Sequence, residues 1–136
     1  MRLVQFTRTL ALLAALGLAG CAINYKSPGL AQGADPSTVA IVEPEKFEIG
    51  PAFFISKIDG DGKGLGMISR IELAPGRHSI TSSVNSYSLR GADVTRYFTA
   101  KAGKKYFVVF HSDDKQRRWG FTIVEADSRA RVDESY

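Results

Sequence analysis

From residue 38 to residue 125 the chain is divided into short β-type runs by turn residues, and this division restricts the fold more than any other feature. In the run 67–73, Ile71 and Leu73 alternate with Glu72, a period of two that is typical of strands with one buried face. Seven such runs cover residues 38–43, 52–58, 67–73, 78–84, 94–100, 105–111 and 119–125. The pattern predicts an all-β fold, an antiparallel sandwich of about seven strands.

Two turns between these runs carry residues suited to tight reversals of the chain. The segment Ala74-Pro75-Gly76-Arg77 combines a proline, which presets φ, with a glycine that can adopt positive φ. The segment 59–64, with sequence Asp-Gly-Asp-Gly-Lys-Gly, predicts a hairpin turn for the same reason. A calcium loop is a weaker interpretation of this segment, because Lys63 and Arg70 stand where oxygen ligands are required.

The first 20 residues have the organisation of a bacterial signal peptide. Arg2 and Arg8 precede an apolar stretch, residues 10–18, that is shorter than the roughly 20 apolar residues of a membrane-spanning helix. The stretch ends in Leu-Ala-Gly-Cys, which resembles a lipobox, so we predict cleavage between Gly20 and Cys21 and lipidation of the Cys21 thiol. An ordinary secretory signal is the alternative.

The cysteine and its neighbour also bear on stability and location. Cys21 is the single cysteine of the chain, so the protein can form no internal disulfide. In enterobacterial lipoproteins an aspartate after the lipidated cysteine favours retention in the inner membrane. Ala22 therefore implies, by resemblance, a lipid-anchored protein of the cell envelope at the outer membrane.

The residue composition along the chain predicts a division into four parts. Residues 1–20 form the signal peptide, and residues 21–37 form the lipidated cysteine and a flexible tether, since Pro28 and Gly33 interrupt any apolar period. Residues 38–126 form the sandwich. Residues 127–136 form a charged, polar tail that we expect to fray.

Three segments resemble PEGA-type domains and the transthyretin-like lipoprotein domains of unknown function of proteobacteria. They are Ile58-Asp59-Gly60, the Leu-x-Pro-Gly-x-His motif of residues 73–78 and the Ala-Gly-Lys-x-Tyr motif of residues 102–106. The resemblance covers about residues 38–125, although the stretch 87–95 is longer than a minimal PEGA turn. It implies an immunoglobulin- or transthyretin-like sandwich in the bacterial envelope, with no catalytic residues to carry over.

The charge of the chain is small and disfavours nucleic acid as a partner. The net charge of +4 falls to +2 when Arg2 and Arg8 leave with the signal peptide. Basic residues nevertheless bracket the penultimate hairpin, and they are a candidate interaction surface for anionic lipid or an acidic partner. A solvated surface that keeps a small β domain soluble is the alternative. This basic group consists of Lys101, Lys104, Lys105, Lys115, Arg117 and Arg118.

The candidates for metal binding or catalysis are few. His78 and His111 are the two histidines, and Asp113 and Asp114 follow His111 closely enough to join it at a metal ion. Histidines at strand ends are more often partly exposed surface residues. The chain has no Gly-x-Ser-x-Gly motif and no thiol left after lipidation, so we predict no enzymatic activity and no cofactor.

Three pairs of adjacent aromatic residues interrupt the expected alternation. Neighbouring side chains of a strand point to opposite faces, so Phe53-Phe54, Tyr97-Phe98 and Tyr106-Phe107 cannot all belong to one core layer. Some of these rings are therefore candidates for a recognition surface.

The sequence as a whole predicts a non-catalytic, outer-membrane lipoprotein that presents its domain to an envelope protein or glycan. A periplasmic carrier of a ligand or metal ion is the alternative.

Overall fold

The computed structural model describes residues 23–45, 52–62, 68–86, 88–89 and 92–134. The signal peptide, the Gly20–Cys21 cleavage site, lipidated Cys21 and Lys63 lie outside the described residues. Within these ranges the chain forms strands and no helix, and hence no helix that could cross a bilayer. The strands are β1 (Ile23–Lys26), β2 (Ala40–Pro44), β3 (Ala52–Ile58), β4 (Ile68–Leu73), β5 (Gly76–Asn85), β6 (Val94–Ala100), β7 (Lys105–Asp113) and β8 (Arg118–Glu125).

The described strands form two sheets, and the predicted all-β sandwich is confirmed. The five-stranded sheet has the order β1-β4-β2-β7-β8, and the three-stranded sheet has the order β3-β5-β6. Two pairings differ from the predicted antiparallel arrangement, because β1 pairs with β4 and β2 pairs with β7 in parallel. Both parallel pairs join strands that are distant in the chain, so no hairpin connects them.

The core lies between the two sheets and contains one ring from each of two adjacent aromatic pairs, while partly buried Phe53 of the third pair packs against it. Phe98 and Tyr106 meet edge to face with ring centroids 5.3 Å apart, and Phe53 stacks on Phe110 at 5.1 Å. Their chain neighbours are only half-buried, on the opposite strand faces; these are Phe54, Tyr97 and Phe107. The expectation that the pairs divide between core and surface is confirmed, because strand alternation leaves the backbone no other arrangement.

Residues 23–27 belong to the sandwich, where the sequence predicted part of a flexible tether. The strand β1 pairs with β4 in parallel, and its Tyr25 is 4% exposed in the core cluster. The backbone N–H of Ser27 then donates to the Glu72 carbonyl oxygen over 2.9 Å. Burial of one tyrosine ring against a distant strand fixes this segment, although its polar neighbours resemble a linker.

The tail is also ordered, contrary to the predicted fraying of residues 127–136, over its described part as far as Glu134. The backbone N–H of Val132 donates to the Ile123 carbonyl of β8, and that of Glu134 donates to the Tyr97 carbonyl of β6. We call residues 131–134 the C-terminal clasp, because they connect an edge of one sheet to an edge of the other. Three of its four residues are charged and only Val132 packs against the core, so no apolar pattern in the sequence reveals this pairing.

Two turns have the backbone geometry predicted for them. Asp59 and Gly60 have φ values of 50° and 78° between the paired residues Ile58 and Asp61, as in a two-residue hairpin turn. Gly76 has φ of 136° where the chain passes from β4 to β5. Both positive-φ predictions are confirmed.

The strand directions define two ends of the sandwich. We call the end that contains Ile23, the first described residue, the proximal end. It contains the start of β1, the end of β2 and the β7–β8 turn, since Ile23 pairs with Ile68 and Asp113 pairs with Arg118. The distal end contains the 59–61 turn, the β4–β5 connection and the start of β7.

Candidate functional site

An open cavity of about 360 Å³ lies at the distal end of the three-stranded sheet. Its position follows from the strand register: Ser79 on the central strand β5 pairs with Tyr97 of β6, and the Asp59 N–H donates to the Ser79 carbonyl. Three chain segments therefore meet at the start of β5. The lining residues are Asp59, Arg77, His78, Ser79 and Tyr97.

Asp59 and His78 hold each other in fixed orientations. The Asp59 Oδ2 atom lies 2.7 Å from His78 Nδ1, while Oδ1 accepts the backbone N–H of Ser79 over 2.8 Å. The second ring nitrogen, Nε2, lies 2.7 Å from the Ala74 carbonyl oxygen, and it donates there because a carbonyl can only accept. Both nitrogens of His78 are thus engaged by the protein, and neither is directed at an incoming metal ion.

Arg77 is held between a carboxylate and an aromatic ring. Its Nε and Nη2 atoms donate to the two carboxylate oxygens of Glu134, each over 2.8 Å. Its guanidinium carbon lies 4.4 Å from the centroid of the Tyr97 ring. Such a bidentate pair is the geometry in which arginine recognises a planar carboxylate. The site therefore contains an oriented cationic fork, and the C-terminal clasp supplies its partner.

The predicted metal ligands are not brought together. His78 lies at the distal end, whereas His111, Asp113 and Asp114 lie at the proximal end. Asp113 instead accepts the backbone N–H of Gln116 within the β7–β8 turn over 3.1 Å. Across the described ranges, no three His, Cys, Asp or Glu side chains are arranged to hold a metal ion.

His111 packs on a glycine in the neighbouring strand. It pairs with Gly120 of β8, and a Cβ added at Gly120 would lie 2.9 Å from the ring nitrogen Nε2 of His111. The imidazole therefore covers the space that a side chain of residue 120 would fill. This contact gives His111 a packing role on the outer face of the sheet.

The predicted basic group is divided between the two ends of β7. Lys101, Lys104 and Lys105 are distal, and Lys115, Arg117 and Arg118 are proximal. The nine residues of β7 separate the two halves by roughly 25–30 Å at about 3.3 Å per residue. A contact with Glu125 at 3.0 Å raises the pKa of Lys104, and Arg117 donates to the Ser88 carbonyl over 2.9 Å.

Lys105 takes part in a line of ion pairs across the outer face of the five-stranded sheet. It contacts Glu43 at 2.8 Å, and Glu43 also contacts Arg70 at 3.1 Å. Arg70 and Lys26 both reach Glu72, at 3.5 and 3.3 Å. The hydrogen bond from Lys105 is the main cause of the lowered pKa of Glu43; burial opposes it, and the charges of Lys105 and Arg70 assist it.

Sequence reasoning did not identify Arg77 or Glu134 as a site residue, and it included Tyr97 only among the paired aromatic rings that are candidates for a recognition surface. The available signal was the alternation of β6, which puts Tyr97 opposite buried Phe98 and so outside the core. Comparison of the chain with protein-family models, curated proteins and solved structures finds no match.

Proposed function

We propose that the protein is a lipoprotein of the bacterial envelope, anchored through acylated Cys21, whose sandwich is a non-catalytic interaction domain. One observation supports this most directly: β1 begins at Ile23, two residues after Cys21, and already contributes Tyr25 to the core. Cleavage before Cys21 would leave every described strand intact. The lipobox-like motif therefore ends two residues before the first described strand.

The same spacing determines how an acylated protein would sit. Two peptide units span at most about 7 Å, so lipid on Cys21 would hold the proximal end of the sandwich against the bilayer. The distal cavity would then face away from the membrane, toward a protein or glycan of the envelope. One acyl chain anchors a protein only marginally, whereas two or more anchor it stably.

The test of this proposal is lipidation of the native protein. Cells expressing the wild type or Cys21→Ser are grown with an alkyne-tagged fatty acid, and the protein is then analysed by intact mass. We expect label and a mass consistent with acylated residues 21–136 in the wild type, and an unlabelled precursor from Cys21→Ser. An unacylated wild-type N-terminus, or normal processing of Cys21→Ser, would rule out the anchor.

Location at the outer membrane needs a separate test. Ala22→Asp introduces the residue that favours inner-membrane retention in enterobacterial lipoproteins and leaves Cys21 in place. After separation of the two membranes by density, we expect the wild type in the outer-membrane fraction and Ala22→Asp in the inner-membrane fraction. Ala22→Ser is the matched control for a polar residue at this position. An inner-membrane wild type would contradict the assignment.

A second candidate function, a carrier of a small ligand, is favoured by the distal cavity. The pairing of Asp59 with His78 and of Arg77 with Glu134 fixes polar groups around an open space before any ligand arrives. Preorganised polar groups of this kind provide specificity in small-molecule sites. Binding to the purified protein distinguishes a carrier from a purely structural anchor.

A further inference from the structure

The C-terminal clasp brings a carboxylate of the chain itself to the rim of the distal cavity. Glu134 follows Asp133, whose side chain is fully buried and accepts the backbone N–H of Ile123. The Glu134 backbone N–H donates to the Tyr97 carbonyl over 2.8 Å. The Asp133 side chain and the Glu134 main chain thus hold the clasp through contacts that do not involve the Glu134 side chain.

We propose that the distal cavity binds a carboxylated saccharide, whose carboxylate takes the position that Glu134 occupies on Arg77. This inference rests on the carrier function proposed above and does not depend on the lipid anchor. Glu134 then acts as an internal competitor. It keeps the arginine fork oriented in the absence of ligand and is displaced when the ligand binds.

The carboxylate requirement comes from Arg77. Its guanidinium is planar, permanently charged and already aligned for two parallel hydrogen bonds, which match the two oxygens of a carboxylate. The Tyr97 ring at 4.4 Å limits its movement. The Arg77 and Glu134 side chains are 56% and 38% exposed, and ion pairs this exposed contribute little to stability, so their exchange for a ligand costs little.

The saccharide requirement comes from the rest of the lining. The Asp59 carboxylate is held in place by His78 and Ser79, and its remaining lone pairs can accept hydrogen bonds from ligand hydroxyls. The edge of the Tyr97 ring, whose face carries the Arg77 guanidinium, adds an aromatic contact for a sugar ring. The cavity of about 360 Å³ can accommodate one or two sugar rings. Among the lining residues that the structure describes, Tyr97 is the single aromatic one and none is aliphatic, so a peptide with apolar side chains would gain little burial against them.

The experiment compares two sugars that differ at one carbon. The processed protein, in a zwitterionic detergent if it is acylated, is titrated with D-glucuronate or D-glucose and followed by ¹H–¹⁵N NMR. We expect glucuronate to shift the Arg77 Nε–H and the Ser79 and Tyr97 amide signals, with at least tenfold weaker binding of glucose. Shifts of equal size with both sugars, or no shifts with glucuronate, would overturn the proposal.

Three variants test the roles of the charged residues. Arg77→Gln should weaken glucuronate binding at least tenfold, and Glu134→Gln should strengthen it several-fold by removing the competing carboxylate. Arg129→Gln is the matched control, because Arg129 is 51% exposed, contacts Glu45 at 2.8 Å and lies over the Phe107 ring, away from the cavity. Unchanged binding in Arg77→Gln contradicts the site, and unchanged binding in Glu134→Gln contradicts the competition.

Other carboxylates distinguish the ligand class. Acetate or triglycine that binds as tightly as glucuronate would show an anion site without saccharide selectivity, and would overturn the proposal. Weaker binding of both would support it. Glucuronate binding by a protein that proves to be unacylated would leave this inference standing and remove only the lipid anchor, so the two proposals fail separately.

Discussion

Asp133 accepts a hydrogen bond from the backbone N–H of Ile123 over 2.9 Å, and this contact ties the C-terminal clasp to β8. The carboxylate is fully buried, and Arg131 donates to both of its oxygens, over 3.0 and 2.7 Å. This pairing raises the pKa of Arg131. The Asp133 side chain thus accepts a hydrogen bond from a buried main-chain N–H, and the Arg131 guanidinium balances the negative charge of its carboxylate.

Asp133→Ala should therefore destabilise the domain. The Ile123 N–H loses its acceptor inside the protein, which costs about 1–3 kcal/mol for an unsatisfied buried donor. The free energy of unfolding in urea measures the loss. Asp127→Ala, in the exposed turn after β8, is the control and should differ little from the wild type. Equal stability of the two variants would mean that the Asp133 carboxylate contributes nothing to the fold.

Strands with internal alternation could be predicted closely from the sequence. β3 and β6 begin and end where the pattern of residues 52–58 and 94–100 predicts. β1 was missed, because its four residues gain their burial only from β4, more than 40 residues later in the chain. Local periodicity carries no information about such a partner.

The candidate site was less accessible to sequence reasoning than the fold. Arg77 and Glu134 are 57 positions apart, and they meet because the clasp pairs with β6 beside β5. His78 was identified as a metal candidate from its residue type, although its partners Asp59 and Ala74 use both ring nitrogens. Residue type indicates what a side chain can bind, whereas tertiary pairing decides what it does bind.

Gly76→Ala tests the reversal between β4 and β5. The φ of 136° at Gly76 is strained for a residue with a Cβ, whereas a Cβ built there meets no atom within 4 Å. The expected loss of about 1–2 kcal/mol in unfolding free energy is therefore a backbone effect and not a clash. Gly62→Ala is the control, since a Cβ there makes contacts of only 3.6 and 3.7 Å. A wild-type melting temperature for Gly76→Ala would contradict the argument.

Ser82→Ala should increase stability. Ser82 is fully buried on the inner face of β5, and among the described residues its hydroxyl has no hydrogen-bond partner. Removing an unsatisfied buried hydroxyl should recover about 1 kcal/mol. The adjacent Ser83 provides the control, because its hydroxyl donates to Asp93 over 2.7 Å and Ser83→Ala should be neutral or destabilising. Chemical denaturation should thus give a higher free energy of unfolding for Ser82→Ala than for the wild type, and an equal or lower one for Ser83→Ala.

Protonation of Glu43 should make the domain less stable in acid. Its pKa in the folded state is lowered from the ordinary value of 4.5, chiefly by the hydrogen bond from Lys105. A lowered folded pKa means that the stabilisation is complete above the unfolded pKa and is lost as the pH falls from about 5 through the folded value. The side chain is 25% exposed, so we expect a contribution below about 1 kcal/mol.

The measurement is the free energy of unfolding between about pH 6 and about pH 3. The wild type should lose more stability over this range than Glu43→Gln, because the variant has no carboxylate to protonate beside Lys105 and Arg70. Glu45→Gln keeps Glu43 and its partners, so it should retain the part of the acid dependence due to Glu43. Parallel curves for the wild type and Glu43→Gln would show that the ion pairs on this sheet face do not couple protonation to folding.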